Sequence, residues 1–290
     1  MVCKMTWFKR YYNRVSAKKH GWHPSWFAPY LSDFNSELQD AIVKFQVNHD
    51  LKPDGLVGPV TFRRLVTDRE LQLENKKPES YILIDGQPVS ISWDVEIDLI
   101  KPGAYKKYNG TRKPRMIVTH WDAATSATSC KKILEKRNIS THFCIDNDGV
   151  IYQYLDTNDI AWHAGKVNNY SIGVDFSNAY YTKYNSLYEK RGFKKRPILK
   201  DSMVHGVKLK PHLGYYPIQI EAYKKLIKTL CRHYKIPMQV PTTSSNELLT
   251  KVHEPAAKGR FKGIVCHYHL TRKKIDCAGL KLKKIIDQLY

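Results

Sequence analysis

The sequence predicts two units: a small all-α domain, followed by a larger α/β domain in which a mixed central sheet is flanked by helices. Two observations carry this reading. From residue 115 onward, apolar runs of strand length alternate with amphipathic stretches of helical period, the pattern of one α/β domain of about 200 residues. Residues 36–70 instead read as helix, tight loop and helix, with a polar stretch after them.

The elements follow in order. Ser36-Glu37 opens a run in which Leu38, Ile42, Phe45 and Gln46 recur at three- and four-residue steps, and Lys52-Pro53-Asp54-Gly55 breaks it. Val57-Gly58-Pro59 makes a second turn, and Val60, Phe62 and Leu65 start another short helix. This places a first domain at 1–72 and a polar, proline-containing linker at 73–80. In the second domain, 81–290, Tyr81 to Ile84, the turn Asp85-Gly86 and the alternating run Val89 to Leu99 read as an edge hairpin. Met116-Ile117-Val118 is a buried strand, Cys130 to Lys136 a helix, and His142 to Tyr154 two strands around Asn147-Asp148-Gly149. Ser171 to Phe176 is another buried strand, Gln219 to Tyr234 an amphipathic helix, Gly263 to His269 a strand and Leu280 to Leu289 a closing helix. Residues 181–216 are rich in Lys, Arg and Tyr and show no core periodicity. They read either as a basic aromatic insertion near a substrate groove or as a solvated excursion.

Hydrophobic residues make up 42% of the 290, which excludes a disordered chain. Lys and Arg number 48 against 27 Asp and Glu, a formal charge of +21 that implies a polyanionic partner: nucleic acid, an anionic membrane surface or an anionic cell wall. Helix-turn-helix, RNP and zinc-finger patterns are absent from the sequence, so nucleic acid is not expected. No run approaches a membrane span, so no integral membrane segment is expected. Met1 to Arg14 mixes basic and aromatic residues and does not read as a signal peptide, so synthesis in the cytosol is expected. The six cysteines are scattered without CxxC spacing, which suits reduced thiols.

The chemistry concentrates where apolar strands end in histidine. His120 follows Met116-Ile117-Val118-Thr119, and His267 follows Gly263-Ile264-Val265-Cys266, so both imidazoles are placed at one rim of a sheet. Lys274, Asp276 and Cys277 follow in a polar loop. Two imidazoles with one carboxylate or thiolate leave a fourth position open, the arrangement of a catalytic zinc site.

Two resemblances sharpen this. Ala41-Ile42-Val43-Lys44-Phe45-Gln46, then Leu51 through Asp54-Gly55-Leu56-Val57-Gly58-Pro59-Val60-Thr61-Phe62 and Leu65, resembles the three-helix peptidoglycan-binding domain of cell-wall hydrolases. Further on come Ile117-Val118-Thr119-His120, Thr141 through Gln153, Ala161-Trp162-His163-Ala164-Gly165, Asn169 through Asp175, and Gly263 through His267 to Asp276. These are similar, in order, to the zinc-dependent N-acetylmuramoyl-L-alanine amidases, the family of phage lysins, bacterial amidases and peptidoglycan recognition proteins.

That resemblance implies a zinc ion held by His120, His267 and Asp276, with His269 and Cys277 as alternatives for the third position, since Cys277 stands where proline is usual. It implies Asp175 as the general acid and base, where many relatives carry Glu, and Lys274 as the cation that holds the oxyanion. His163 and Trp162 are expected to line the substrate groove, and Asn169 to fix a turn. The implied activity is cleavage of the amide between N-acetylmuramic acid and L-alanine in peptidoglycan, most simply as a phage endolysin, with anionic wall polymers or outer-membrane lipid as further partners. The alternative is a peptidoglycan-binding recognition protein without catalysis.

Overall fold

The computed structural model describes residues 7–28, 31–75 and 80–289. The chain divides into two compact units, Met1–Pro78 and Glu79–Tyr290.

The first unit holds three α-helices: α1 (Trp7–His20), α2 (Ser36–Asn48) and α3 (Pro59–Asn75). Asn35 caps α2, its side chain accepting from Leu38 N at 3.0 Å. Trp22, Leu38, Ile42 and Val57 are buried together at the centre. Gln46 explains the spacing of the loop motif. Its Nε2 lies within reach of Asp54 Oδ1, Leu56 O and Thr61 Oγ1 at 3.0, 3.1 and 3.1 Å, and its Oε1 accepts from Gly55 N at 2.8 Å. Helix α1 had no counterpart in the sequence reading. Its buried positions include the polar Asn13 and Ser16, which bond the backbone of Gly55 and Val57 across the loop. Of the expected linker, residues 73–75 belong to α3 and 76–79 lie outside the described residues. Leu71 to Asn75 contains good helix formers and no breaker, so the helix simply continues.

The second unit opens with the antiparallel hairpin β1 (Ser80–Ile84) and β2 (Gln87–Ile91). The expected second hairpin strand is broken. Trp93 anchors its Nε1 on Gly149 O at 2.7 Å, and β3 (Val95–Ile97) departs to join the main sheet. A short strand β4 (Tyr105–Lys106) precedes β5 (Met116–Trp121), α4 (Ala127–Lys136), β6 (Phe143–Ile145), β7 (Ile151–Gln153), β8 (Ile160–Ala161) and β9 (Ser171–Phe176). After the insertion come α6 (Pro217–Tyr234), α7 (Glu254–Ala257), β14 (Gly263–Cys266) and α8 (Leu282–Asp287). The six-stranded sheet runs β14-β5-β9-β6-β7-β3. All neighbours are parallel except the β6–β7 hairpin. The mixed sheet between helices is the architecture the sequence predicted.

Helix α6 has Pro217 in its first turn and buries Ala222, Tyr223, Leu226, Ile227 and Leu230 at three- and four-residue spacing. It packs on one face of the sheet, in the same core as Ile117, Ile172, Val174, Phe176 and Ile264. Helix α4, capped by Ser126, packs Cys130 and Leu134 with Cys144 on the other face. The central strands β5, β9 and β14 are covered on both faces and therefore read as continuous apolar runs.

The insertion is ordered. It carries α5 (Asn185–Lys190), the pair β10 (Ile198–Leu199) with β13 (His212–Leu213), and the pair β11 (Met203–Val204) with β12 (Val207–Lys208). Its anchor is Arg196, 2% exposed. The guanidinium lies against the rings of Tyr188 and Tyr216 and donates to Asn147 Oδ1, Ser177 O, Gly214 O and Gln219 Oε1. A buried cation against two tyrosine rings leaves no apolar periodicity, so hydropathy gave no sign of it.

Candidate metal centre

Parallel pairing brings the carboxyl ends of β5, β9 and β14 to one rim, the place where open α/β sheets present ligand-binding side chains. His120 stands in register with Asp175 on the neighbouring strand. His267 follows β14 directly, because the expected strand through His269 ends at Cys266 and residues His267–His269 form a single 3-10 turn. Asp276 returns on the loop from Thr271, with Tyr268 N donating to its carbonyl at 3.1 Å.

The structure brings His120, His267 and Asp276 together. His120 Nδ1 and His267 Nδ1 are 3.0 Å apart, and each is 3.0 Å from the same oxygen, Asp276 Oδ2. All three residues are buried. Burial, with the neighbouring His267, lowers the His120 imidazole to about 4. Burial alone would raise Asp276, but the close His120 and His267 imidazoles outweigh it and hold the carboxyl well below the usual range.

The donor set fits a zinc ion. The far side of His120 is committed, since its Nε2 lies 3.0 Å from His163 Nδ1, His163 Nε2 lies 3.2 Å from Ser171 Oγ, and that hydroxyl donates to Val167 O at 2.9 Å. With the hydrogen on each Nε2, every step of this chain is a donor facing an acceptor, and His120 Nδ1 is left as a bare lone pair aimed at Asp276 and His267. Three convergent lone-pair atoms in a buried space call for a cation, and two imidazoles with one carboxylate suit zinc. His163 thus supports the centre from behind, a role the sequence reading did not give it. The signal was available in Ala-Trp-His-Ala-Gly, but only the strand pairing shows which nitrogen it meets. Asn168, rather than Asn169, holds this loop, its Oδ1 accepting from His163 N and Ala164 N. Gly173 gives His163 room: a Cβ there would lie 2.8 Å from His163 Nδ1 and 2.6 Å from Thr141 Oγ1.

The remaining residues separate. Asp175 is 7% exposed, and burial, with the charges of Asp122 and Asp276, pushes its carboxyl well above the usual range. Lys274 is exposed, and its ammonium is near enough to act electrostatically on both His120 and Asp175. Trp162 is 38% exposed on the loop beside His163. The structure does not bring His269 or Cys277 to the cluster. His269 is used internally, accepting from Cys266 N at 2.9 Å and donating to Leu249 O at 2.6 Å. Cys277 turns toward Thr119 O and Cys266 Sγ. The 3-10 turn aims His267 at the centre and His269 into the protein, which the strand periodicity assumed for them did not anticipate.

A second convergence among the described residues, Asp122 with Cys130 and Cys144, is of another kind. Asp122 already accepts from Ala124 N and Asn178 N and from the Cys144 thiol at 3.7 Å. Burial pushes the Cys144 thiol up to about 12, and Cys144 and burial raise Cys130 as well, so the two sulfurs keep their hydrogens.

The N-acetylmuramoyl-L-alanine amidase family matches residues 110–276, a span that takes in His120, His163, Asp175, His267 and Asp276. No curated protein gives a significant match. Among solved structures, the chain is similar to the endolysin of a Thermus scotoductus bacteriophage, at 15% identity and TM-score 0.39, covering 65% of this chain and 91% of that one. It is similar to the Escherichia coli N-acetylmuramyl-L-alanine amidase AmiD, at 22% identity and TM-score 0.31, covering 44% and 47%. The Staphylococcus aureus hydrolase AmiA is similar at 13% identity and TM-score 0.42, covering 77% and 90%.

Proposed function

The chain belongs to the N-acetylmuramoyl-L-alanine amidase family, and on that premise we propose that it is a zinc-dependent peptidoglycan hydrolase that cleaves the amide between N-acetylmuramic acid and L-alanine. The observation that carries this reading is the buried convergence of His120, His267 and Asp276 at 3.0 Å within the span of the family match.

Those three residues would hold the zinc, which when bound would supply Lewis-acid polarisation of the scissile carbonyl and lower the pKa of a water to about 7. His163 keeps His120 in the tautomer that turns its lone pair to the metal. Asp175, with its raised proton affinity, takes the proton of the attacking water and returns it to the departing alanine nitrogen. The Lys274 ammonium meets the negative charge that develops on the lactyl oxygen. His163 and Trp162 form part of the groove that takes the substrate. The first unit, by its resemblance, serves to hold the enzyme on the wall and raises the local substrate concentration. The function is that of an endolysin of phage type, made in the host cytoplasm and acting at the cell wall, where the net charge of +21 attracts the protein to anionic wall polymers or outer-membrane lipid.

The test is chemical. Full-length protein incubated with purified peptidoglycan should release new alanine amino groups without new reducing sugar ends, and His120→Ala should lower that rate at least about 1,000-fold while the fold is retained. New reducing ends without free alanine amines would identify a glycosidase. Wall binding with neither product would identify a recognition protein without catalysis.

A further inference from the structure

Cys266 and Cys277 are free thiols with no solvent exposure, and their Sγ atoms stand 3.0 Å apart. Two non-bonded sulfurs rarely approach so closely, and the gap is only about 1 Å more than a disulfide bond of about 2.05 Å. The residues are 11 apart in sequence. One ends β14 and the other lies on the loop that returns from Thr271, so their meeting is made by the fold. Both belong to the apolar core, with Ile264, Tyr268, Ala278 and Leu280. Cys277 Sγ also approaches Thr119 O at 3.7 Å, and Cys266 Sγ accepts from His269 N. Their sequence neighbours are His267 and Asp276, two of the three residues that face the candidate metal position.

We propose that Cys266 and Cys277 are a redox modification site that closes an intramolecular disulfide behind the metal centre. With hydrogen peroxide as oxidant, each thiol gives up its hydrogen, the sulfur–sulfur bond forms, the peroxide O–O bond breaks, and two waters leave. Burial makes the reaction slow, on the scale of hours rather than seconds. The bond ties the segment that carries His267 to the segment that carries Asp276 and closes the loop holding Lys274 into a ring. Cross-linking restricts the unfolded chain, so the oxidised protein melts about 5 °C higher than the reduced one. A second consequence rests on the zinc reading above: the oxidised protein gives up zinc to a chelator several-fold more slowly.

The experiment starts from reduced full-length protein, treated with hydrogen peroxide, unfolded in iodoacetamide, digested and analysed by mass spectrometry. A linked peptide pair containing Cys266 and Cys277, lost on treatment with dithiothreitol, is the expected result. The rise in melting temperature should accompany it and be absent from both Cys266→Ala and Cys277→Ala. Complete alkylation of Cys266 and Cys277 after oxidation would overturn the proposal, as would their separate conversion to sulfinic acids or linkage to other cysteines. A protein that never retains zinc would defeat the zinc reading while leaving the linked pair as a readout, so the two fail separately.

Discussion

On the proposed mechanism, His163 is a residue away from the reacting atoms that sets the chemistry of one that takes part. An imidazole has two nitrogens, and His120 can offer Nδ1 to a metal only if Nε2 carries the hydrogen and has an acceptor. That acceptor is His163 Nδ1 at 3.0 Å. Replacing His163 by Ala should therefore weaken zinc binding and amide hydrolysis together, by about 10- to 100-fold. Zinc titration beside a rate measurement checks this, since a groove residue alone would change KM and leave metal affinity in place. His142 makes the complementary case of a histidine kept neutral for structure. It is buried, accepting from Gly173 N at 3.0 Å and donating to Asp159 O at 3.1 Å, and burial with the nearby Arg112 charge holds its pKa well below 6.5. The folded state thus binds this proton less readily than the unfolded chain does. The stability it supports is present above the unfolded value and is lost as pH falls below about 6.5. The melting temperature should drop between pH 7 and pH 5, and the drop should flatten in His142→Gln.

Among elements, the loop between α2 and α3 explains why its motif has the spacing it has. Gln46 reaches Asp54, Gly55, Leu56 and Thr61 at once, so the glutamine at the end of one helix and the Asp-Gly and Thr of the next segment form one polar unit. Gly55 has φ +70°, and a Cβ there would lie 1.5 Å from Gln39 Nε2, the atom that donates to Gly55 O. Gly55→Ala should cost the first unit about 2 kcal/mol through backbone strain and displacement of Gln39, read as a lower unfolding midpoint of that unit. The insertion gives the opposite lesson. Its order comes from Arg196 and the two tyrosine rings against it, and a pattern search built on apolar spacing passes over such an anchor.

For the whole molecule, the surplus of +21 is spread along both units, and on the proposed function it serves attraction to the wall rather than the fold. Attraction of this kind is screened within about 10 Å at 0.1 M salt and about 3 Å at 1 M. Lysis of intact walls should therefore fall several-fold between these conditions, while cleavage of a soluble muramyl peptide changes little; equal salt dependence for both substrates would assign the charge another purpose. Much of the design was legible in the residues alone. Apolar runs of strand length gave the central strands, three- and four-residue spacing gave α2, α4 and α6, and strand ends gave His120 and His267, because each of these is a local consequence of what the backbone and neighbouring side chains require. The third member of the cluster was open among Asp276, Cys277 and His269, and residues 181–216 were open between groove and surface. These depended on contacts between segments far apart in sequence. A 3-10 turn aims His267 outward and His269 inward, the loop from Thr271 delivers Asp276 to one face of the sheet and Cys277 to the other, and strand pairing sets His163 behind His120. The sequence by itself determined which elements form and which residues carry chemistry; only the tertiary structure decided which of those residues meet, because a side chain's partner is set by the path of the chain that returns to it.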